Sequence, residues 1–310
     1  MHPLFDTVII GTSLRREAEG HQRSAVAFAR AAGAQVELIH ALETRDAALG
    51  GMEWIPLEVW EEVRRELERE LYAQAKRLGL SASEIQGVSL RSGAPHRVLA
   101  AAASRPGTLL AVGASESARR PLLGTTAERL VRRASRPTLV VRGELHLPPR
   151  RLVVPVDFSP LAAGTLRTGI ALAHQMRWQD SAPLEAVFVL PPPSYDNRPQ
   201  LSPWAMRSRA AAALERFAAV EGQAAMIGDV LLAGDPPSEL AAYLDPSDLL
   251  VLGTHGQGGF ERFLLGSVAS EVLRAAPCSV LLVPPHPALP SWKPAADAAS
   301  VFSDAFHQFG

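Results

Sequence analysis

The sequence predicts an α/β fold built twice, as two doubly wound, five-stranded parallel sheets of strand order 3-2-1-4-5. Three observations carry this. Short apolar runs alternate with helical patterns along the whole chain. The apolar runs are near-continuous rather than alternating, which marks strands covered on both faces. The pattern also repeats at a nearly constant offset.

Four anchors define the repeat. Val8-Ile9-Ile10-Gly11-Thr12-Ser13 pairs with Val154-Pro155-Val156-Asp157-Phe158-Ser159, aligning Gly11 with Asp157. Ser92-Gly93-Ala94-Pro95 pairs with Ala233-Gly234-Asp235-Pro236, and Gly113 with Gly253. Leu122-Leu123-Gly124-Thr125 pairs with Leu264-Leu265-Gly266-Ser267. The offsets are 146, 141, 140 and 142 residues, as expected of a duplication. The domains read as 1–144 and 151–286, joined by a stiff Leu145–Arg150 linker and followed by a tail over 287–310.

In the first half, strands are predicted near 7–11, 35–41, 87–91, 108–113 and 138–142, with helices near 15–32, 57–79, 95–104 and 125–134. The 57–79 helix places Trp60, Val63, Leu67 and Leu71 on one face, as a surface helix should. The second half repeats this with strands near 151–156, 184–190, 228–232, 248–253 and 279–284. Its helices fall near 160–177, 203–221, 236–244 and 267–275. In a 3-2-1-4-5 sheet, ligands bind beyond the carboxyl ends of strands 1 and 4, where Asp157 and Gly253 stand in the second half.

Composition narrows the function. At 310 residues the chain suits two domains, each able to bury its own core. A net charge of −1 offers no general attraction to nucleic acid or anionic membrane. Cys278 is the only cysteine, which excludes internal disulfides and thiolate clusters, and it reads as a packed small hydrophobe. No run reaches the ~18–20 apolar residues of a membrane span, and a strand begins almost at once, so a cytoplasmic location is expected. Lys76 and Lys293 are the only lysines, and the GxxxxGK[ST] loop is absent. Phosphate must therefore be held by backbone amides, hydroxyls, arginine or a metal.

The segment Leu249–Val283 supplies such amides. An apolar strand ends in Gly253, a loop with glycines at 256, 258 and 259 follows, and Gly266-Ser267 open a helix. Glycines let backbone N–H groups crowd an anion, and the first helical turn adds unpaired donors and the positive end of its dipole. A helix N-cap and tight turn would explain Gly266-Ser267 alone, but not the other glycines.

The spacing Gly253-x2-Gly256-x9-Gly266-Ser267 resembles the ATP-binding motif of universal stress proteins, and the chain looks like two such domains over roughly residues 3–286. The resemblance implies that Val156, Asp157 and Val189 enclose the adenine. It implies that Leu252, Gly253 and Gly256 line the ribose and triphosphate, and that Gly266, Ser267 and Val268 bind phosphate. Asp157 fits only the ribose or adenine end, or a bridging cation such as Mg²⁺; its alternative role is an N-cap for the helix beginning near Pro160. His255 and Arg262 are further phosphate candidates, each weighed against a solvated loop side chain. The resemblance further implies an intramolecular pseudo-dimer through strand 5 of each domain, with a dimer of pseudo-dimers left open.

The first half departs from the motif. Gly11 stands in place of Asp157, Glu116 replaces Gly256, and Gly113 to Gly124 spans 11 positions against 13 in the second half. Two missing residues shorten the loop's reach by up to roughly 7 Å. Arg119 and Arg120 leave another anion open there. Phe302, Phe306 and Phe309 suggest a short amphipathic helix in the tail, against a frayed terminus.

The expected function is an ATP-binding, stress-response regulatory protein, with nucleotide in the second domain only and an unidentified protein partner. The alternatives are a slow ATPase, with Asp157 holding Mg²⁺ and His255 orienting water, and a nucleotide-free scaffold. No catalytic residue and no resident metal site are assigned.

Overall fold

The structure is a computed structural model that describes residues 3–42, 57–114, 125–131, 135–190, 203–220, 227–254 and 265–285. The chain divides into two compact units, Met1–Leu147 and Pro148–Gly310.

Unit 1 runs β1 (Thr7–Thr12), α1 (Glu19–Ala32), β2 (Gln35–Leu42), α2 (Leu57–Arg77), β3 (Ile85–Ser92), α3 (Pro95–Ala103), β4 (Thr108–Gly113), α4 (Thr125–Val131) and β5 (Thr138–Val141). β1 pairs in parallel with β2 and β4, β2 with β3, and β4 with β5, giving the order β3-β2-β1-β4-β5. The central strand explains its own composition. Val8, Ile9 and Ile10 are each no more than 1% exposed because neighbouring strands and both helical layers enclose them.

Unit 2 runs β6 (Leu152–Pro155), α5 (Pro160–Met176), β7 (Leu184–Leu190), α6 (Pro203–Val220), β8 (Ile227–Ala233), α7 (Pro236–Tyr243), β9 (Leu249–Gly253), α8 (Ser267–Ala275) and β10 (Ser279–Val283). Its parallel pairings give the same order, β8-β7-β6-β9-β10. Cys278 is fully buried at the entrance to β10.

The predicted elements recur within a few residues, with informative exceptions. The first helix was expected from residue 15, but a 3-10 turn at Arg16–Ala18 precedes α1. Neither Arg15 nor Ala18 offers a side-chain cap, so the orphan N–H groups are met by a tighter turn. In unit 2, the Ser159 hydroxyl accepts from the Ala162 N–H at 3.1 Å, and α5 begins at once with Pro160. The expected inner face of the 57–79 helix also needs correction. Val63 is 42% exposed, and among the described side chains of this segment, which do not include Trp60, the buried ones are Leu71, Gln74, Ala75 and Leu78. Helical periodicity finds a stripe but not how much of it a sheet will cover.

Two glycines of unit 1 have packing reasons of their own. A Cβ on Gly11 would lie 2.7 Å from Leu99 Cδ1, and one on Gly113 would lie 2.8 Å from His21 Nδ1. Gly113→Ala is expected to destabilise unit 1 by about 1–3 kcal/mol through overpacking, measurable by urea unfolding.

Unit 2 is tied at the amino ends of its strands by a charged cluster. Asp248, with its side chain fully buried, accepts from Arg151 Nη2 at 2.6 Å and from the Asp245 N–H at 2.9 Å. Its other oxygen accepts from Arg151 Nε and Arg150 Nε, both at 3.2 Å. The Arg151 guanidinium also lies 4.4 Å from the centroid of the Tyr243 ring and bonds Glu185 at 3.0 Å. Tyr243 donates to Glu185 at 2.6 Å.

Burial, then the hydrogen bond to Glu185, pushes the Tyr243 phenol from 10.0 up to about 12. Because the folded value is raised, its contribution is complete below pH 10 and lost as pH climbs toward about 12. Unit 2 should therefore lose stability across that window, and Tyr243→Phe should flatten the loss in denaturant titrations at stepped alkaline pH.

Candidate functional site

β6 pairs in parallel with β9 at Leu152–Leu249 and Val153–Leu250, so the two strands run on toward the same edge of the sheet. β6 ends at Pro155, so Val156 and Asp157 occupy the turn that follows. The Val156 N–H still donates to the Val187 carbonyl at 2.9 Å, and its side chain is 6% exposed. Asp157 Oδ1 accepts from the Ser159 N–H at 3.0 Å. The helix cap is thus Ser159, not Asp157: the carboxylate braces the turn and leaves the capping to its neighbour. Between them, Phe158 takes a left-handed conformation, φ +59°, with its ring centroid 4.6 Å from that of Phe188. That conformation is uncommon for a bulky residue, and the flanking hydrogen bonds and ring packing hold it.

Val189, at the end of β7, is 7% exposed, and Leu252 at the end of β9 is 5% exposed. Gly253 closes β9. Gly256, with His255 and Arg262, lies outside the described residues.

The chain returns where Gly266 donates its N–H to the Thr254 carbonyl at 2.9 Å, while the Thr254 N–H donates to Val283 at 3.0 Å. This pins the start of α8 to the end of β9. Gly266 is the N-cap residue, and no side chain caps the helix. The first bond of the ladder runs from Ser270 N–H to the Gly266 carbonyl at 2.8 Å. The N–H groups of Ser267, Val268 and Ala269 therefore have no partner within the helix. Ser267 and Val268 are exposed, Val268 at 45%. Sequence reasoning missed Thr254, whose carbonyl anchors this turn; its one available signal was its place after the strand-ending glycine.

Strand register corrects the alignment of the two units. Val8 and Leu152 occupy the same rung, and Leu14 and Phe158 are both left-handed, each pair 144 residues apart. Gly33 and Arg177 end their helices identically at that spacing. The counterpart of Asp157 is thus Ser13 rather than Gly11, and that of Val156 is Thr12. The sequence alignment slipped by two because apolar strands resemble themselves when shifted by two positions. The Glu116 loop of unit 1 lies outside the described residues.

Among the described residues, no group of three or more His, Cys, Asp or Glu side chains is placed to hold a metal ion, and no helix is long and apolar enough to cross a membrane.

Comparison with known proteins places this geometry. The model of the universal stress protein family matches the chain twice, over residues 5–142 and 149–284. A universal stress protein of Methanocaldococcus jannaschii is 28% identical over 149 residues, covering 43% of this chain and 81% of that protein. One from Mycobacterium tuberculosis is 29% identical over 178 residues, 53% of this chain. The chain spans 56% of that mycobacterial relative. Among solved structures, a universal stress protein of Archaeoglobus fulgidus aligns with TM-score 0.66 at 16% identity, covering 92% of this chain and 98% of its own. A functionally unknown protein of Pseudomonas aeruginosa aligns with TM-score 0.56 at 15% identity, covering 98% of each chain. At such identities the structural matches speak for the fold.

Proposed function

We propose that this chain, which belongs to the universal stress protein family, binds ATP in unit 2 alone and acts as a stress-response regulator whose protein contacts follow nucleotide occupancy. The observation that carries this reading is the Gly266–Thr254 bond, which holds an uncapped helix start against the end of β9, one strand from the Asp157 turn.

The residues present fit the nucleotide. An uncapped helix start offers backbone donors and positive potential to phosphate without a lysine, and Gly266, Ser267 and Val268 would provide it. Val156 and Val189, both buried, would face the base, with Leu252, Gly253 and Gly256 along the ribose and triphosphate. Asp157 braces its turn through Oδ1 and would meet ribose, not phosphate. Any Mg²⁺ would rest mainly on the phosphates themselves, given the lack of a carboxylate cluster among the described residues.

Unit 1 lacks the set. Ser13 and Thr12 stand where unit 2 has Asp157 and Val156, Glu116 brings negative charge to the loop, and the loop is two residues shorter. Isothermal titration of the full chain should show one ATP per chain. Two equal sites, or no binding at all, would refute the proposal.

A further inference from the structure

At the carboxyl end of β1, the Thr12 hydroxyl is bonded three times. It donates to Gln74 Oε1 at 2.7 Å and accepts from Gln22 Nε2 at 2.9 Å and from the Leu14 N–H at 3.0 Å. That exhausts a hydroxyl, which has one proton to give and two lone pairs to offer. His40 Nδ1 donates to the Thr12 carbonyl at 2.8 Å. One residue thus joins β1, β2, α1 and α2.

Each amide keeps one atom in reserve. Gln22 is 4% exposed and Gln74 is fully buried, and Gln22 Oε1 and Gln74 Nε2 have no hydrogen-bond partner among the described residues. Their chemistry is fixed by the hydroxyl. With the Leu14 N–H on one lone pair, Thr12 takes one amide as donor and the other as acceptor. Flipping both amides exchanges their roles but still leaves one donor and one acceptor over.

We propose that these two atoms hold one buried water molecule, completing a hydrogen-bonded lock at the strand ends of unit 1. Both atoms are closed off from bulk solvent, and water is the smallest ligand that both donates and accepts. Unit 2 shows the apolar alternative. Val156 and Leu166 stand 144 residues after Thr12 and Gln22, and Phe188 stands 148 after His40. Where unit 2 lines the strand ends with hydrocarbon, unit 1 fastens them with hydrogen bonds.

A crystal structure of the full chain, at a resolution that shows ordered water, tests this directly. One spherical density peak within hydrogen-bond distance of both amides is expected. No density, a direct bond between the two amides, or density for a larger molecule overturns the proposal. Stability gives a second reading. Gln74→Leu should lower Tm and speed hydrogen exchange of the Leu14 amide. The triple variant Thr12→Val/Gln22→Leu/Gln74→Leu, which leaves no stranded amide, should recover part of that Tm. An unchanged Tm in Gln74→Leu, or a triple variant less stable than the single, counts against the lock.

Discussion

Replacing Gly266 with valine is expected to abolish ATP binding by unit 2 while leaving its fold intact. The two halves of that expectation have separate causes. Gly266 sits at φ −57° and ψ 154°, a conformation any residue adopts, so a side chain there brings no backbone strain. Its N–H bond to Thr254 and its carbonyl bond to Ser270 use main-chain atoms that valine also has. What valine adds is a branched side chain beside the N–H groups of Ser267 and Val268, where the phosphate must come close. Two charge-assisted hydrogen bonds lost at ~1.5–3 kcal/mol each amount to at least ~100-fold in affinity. Titration calorimetry reads the loss, and an unchanged thermal transition without nucleotide reads the preserved fold. The wild-type chain should gain ~2.7 kcal/mol of stability at 100 times its dissociation constant, and the variant none. A variant that still binds ATP tightly would move the phosphate site away from α8.

Asp248→Ala should be the most destabilising single change in unit 2, by about 3–5 kcal/mol. Its carboxylate takes both Arg151 and Arg150 while also accepting the Asp245 N–H. Deletion leaves the Arg151 side chain, 12% exposed, without its main counter-charge at the start of the central strand. Arginine keeps its proton at any ordinary pH even without Asp248, so the guanidinium cannot escape by neutralising itself. Glu185 is a poor substitute, since Tyr243 already claims the same carboxylate oxygen. Arg150 is half exposed and should contribute little. Urea unfolding should show the midpoint for unit 2 falling at unchanged slope. Asp248→Asn should be milder, because the amide oxygen can still accept one of these bonds. Equal losses in both variants would mean that the negative charge, not the shape and acceptor oxygen an amide keeps, holds the cluster.

The contrast between the Asp248 cluster and the strand-end crevice shows which parts of the molecule were legible as sequence. Near-continuous runs such as Val8–Ile10 and Leu249–Leu252 can be satisfied only by a sheet buried on both faces, so the strands and their parallel order were readable. The motif from Gly253 to Ser267 was readable because it combines glycines with a helix start at a fixed spacing. The Arg151–Asp248 pairing was not, because nothing local links two residues 97 positions apart. Nor was the Thr12 lock, which gathers Gln22 and Gln74 from two different helices.

The sequence alone determined the family, the duplicated α/β architecture and the glycine-rich segment of unit 2, since each rests on periodicity or spacing along the chain. Tertiary structure decided that Ser159 rather than Asp157 caps α5, that Thr12 and Ser13 are the counterparts of Val156 and Asp157, and that Thr254 anchors the start of α8. A two-residue slip leaves an apolar strand unchanged in pattern, so only the rungs of the sheet could set that alignment. A cap or an anchor is a matter of which oxygen reaches which N–H, and that is decided by backbone path rather than by residue type.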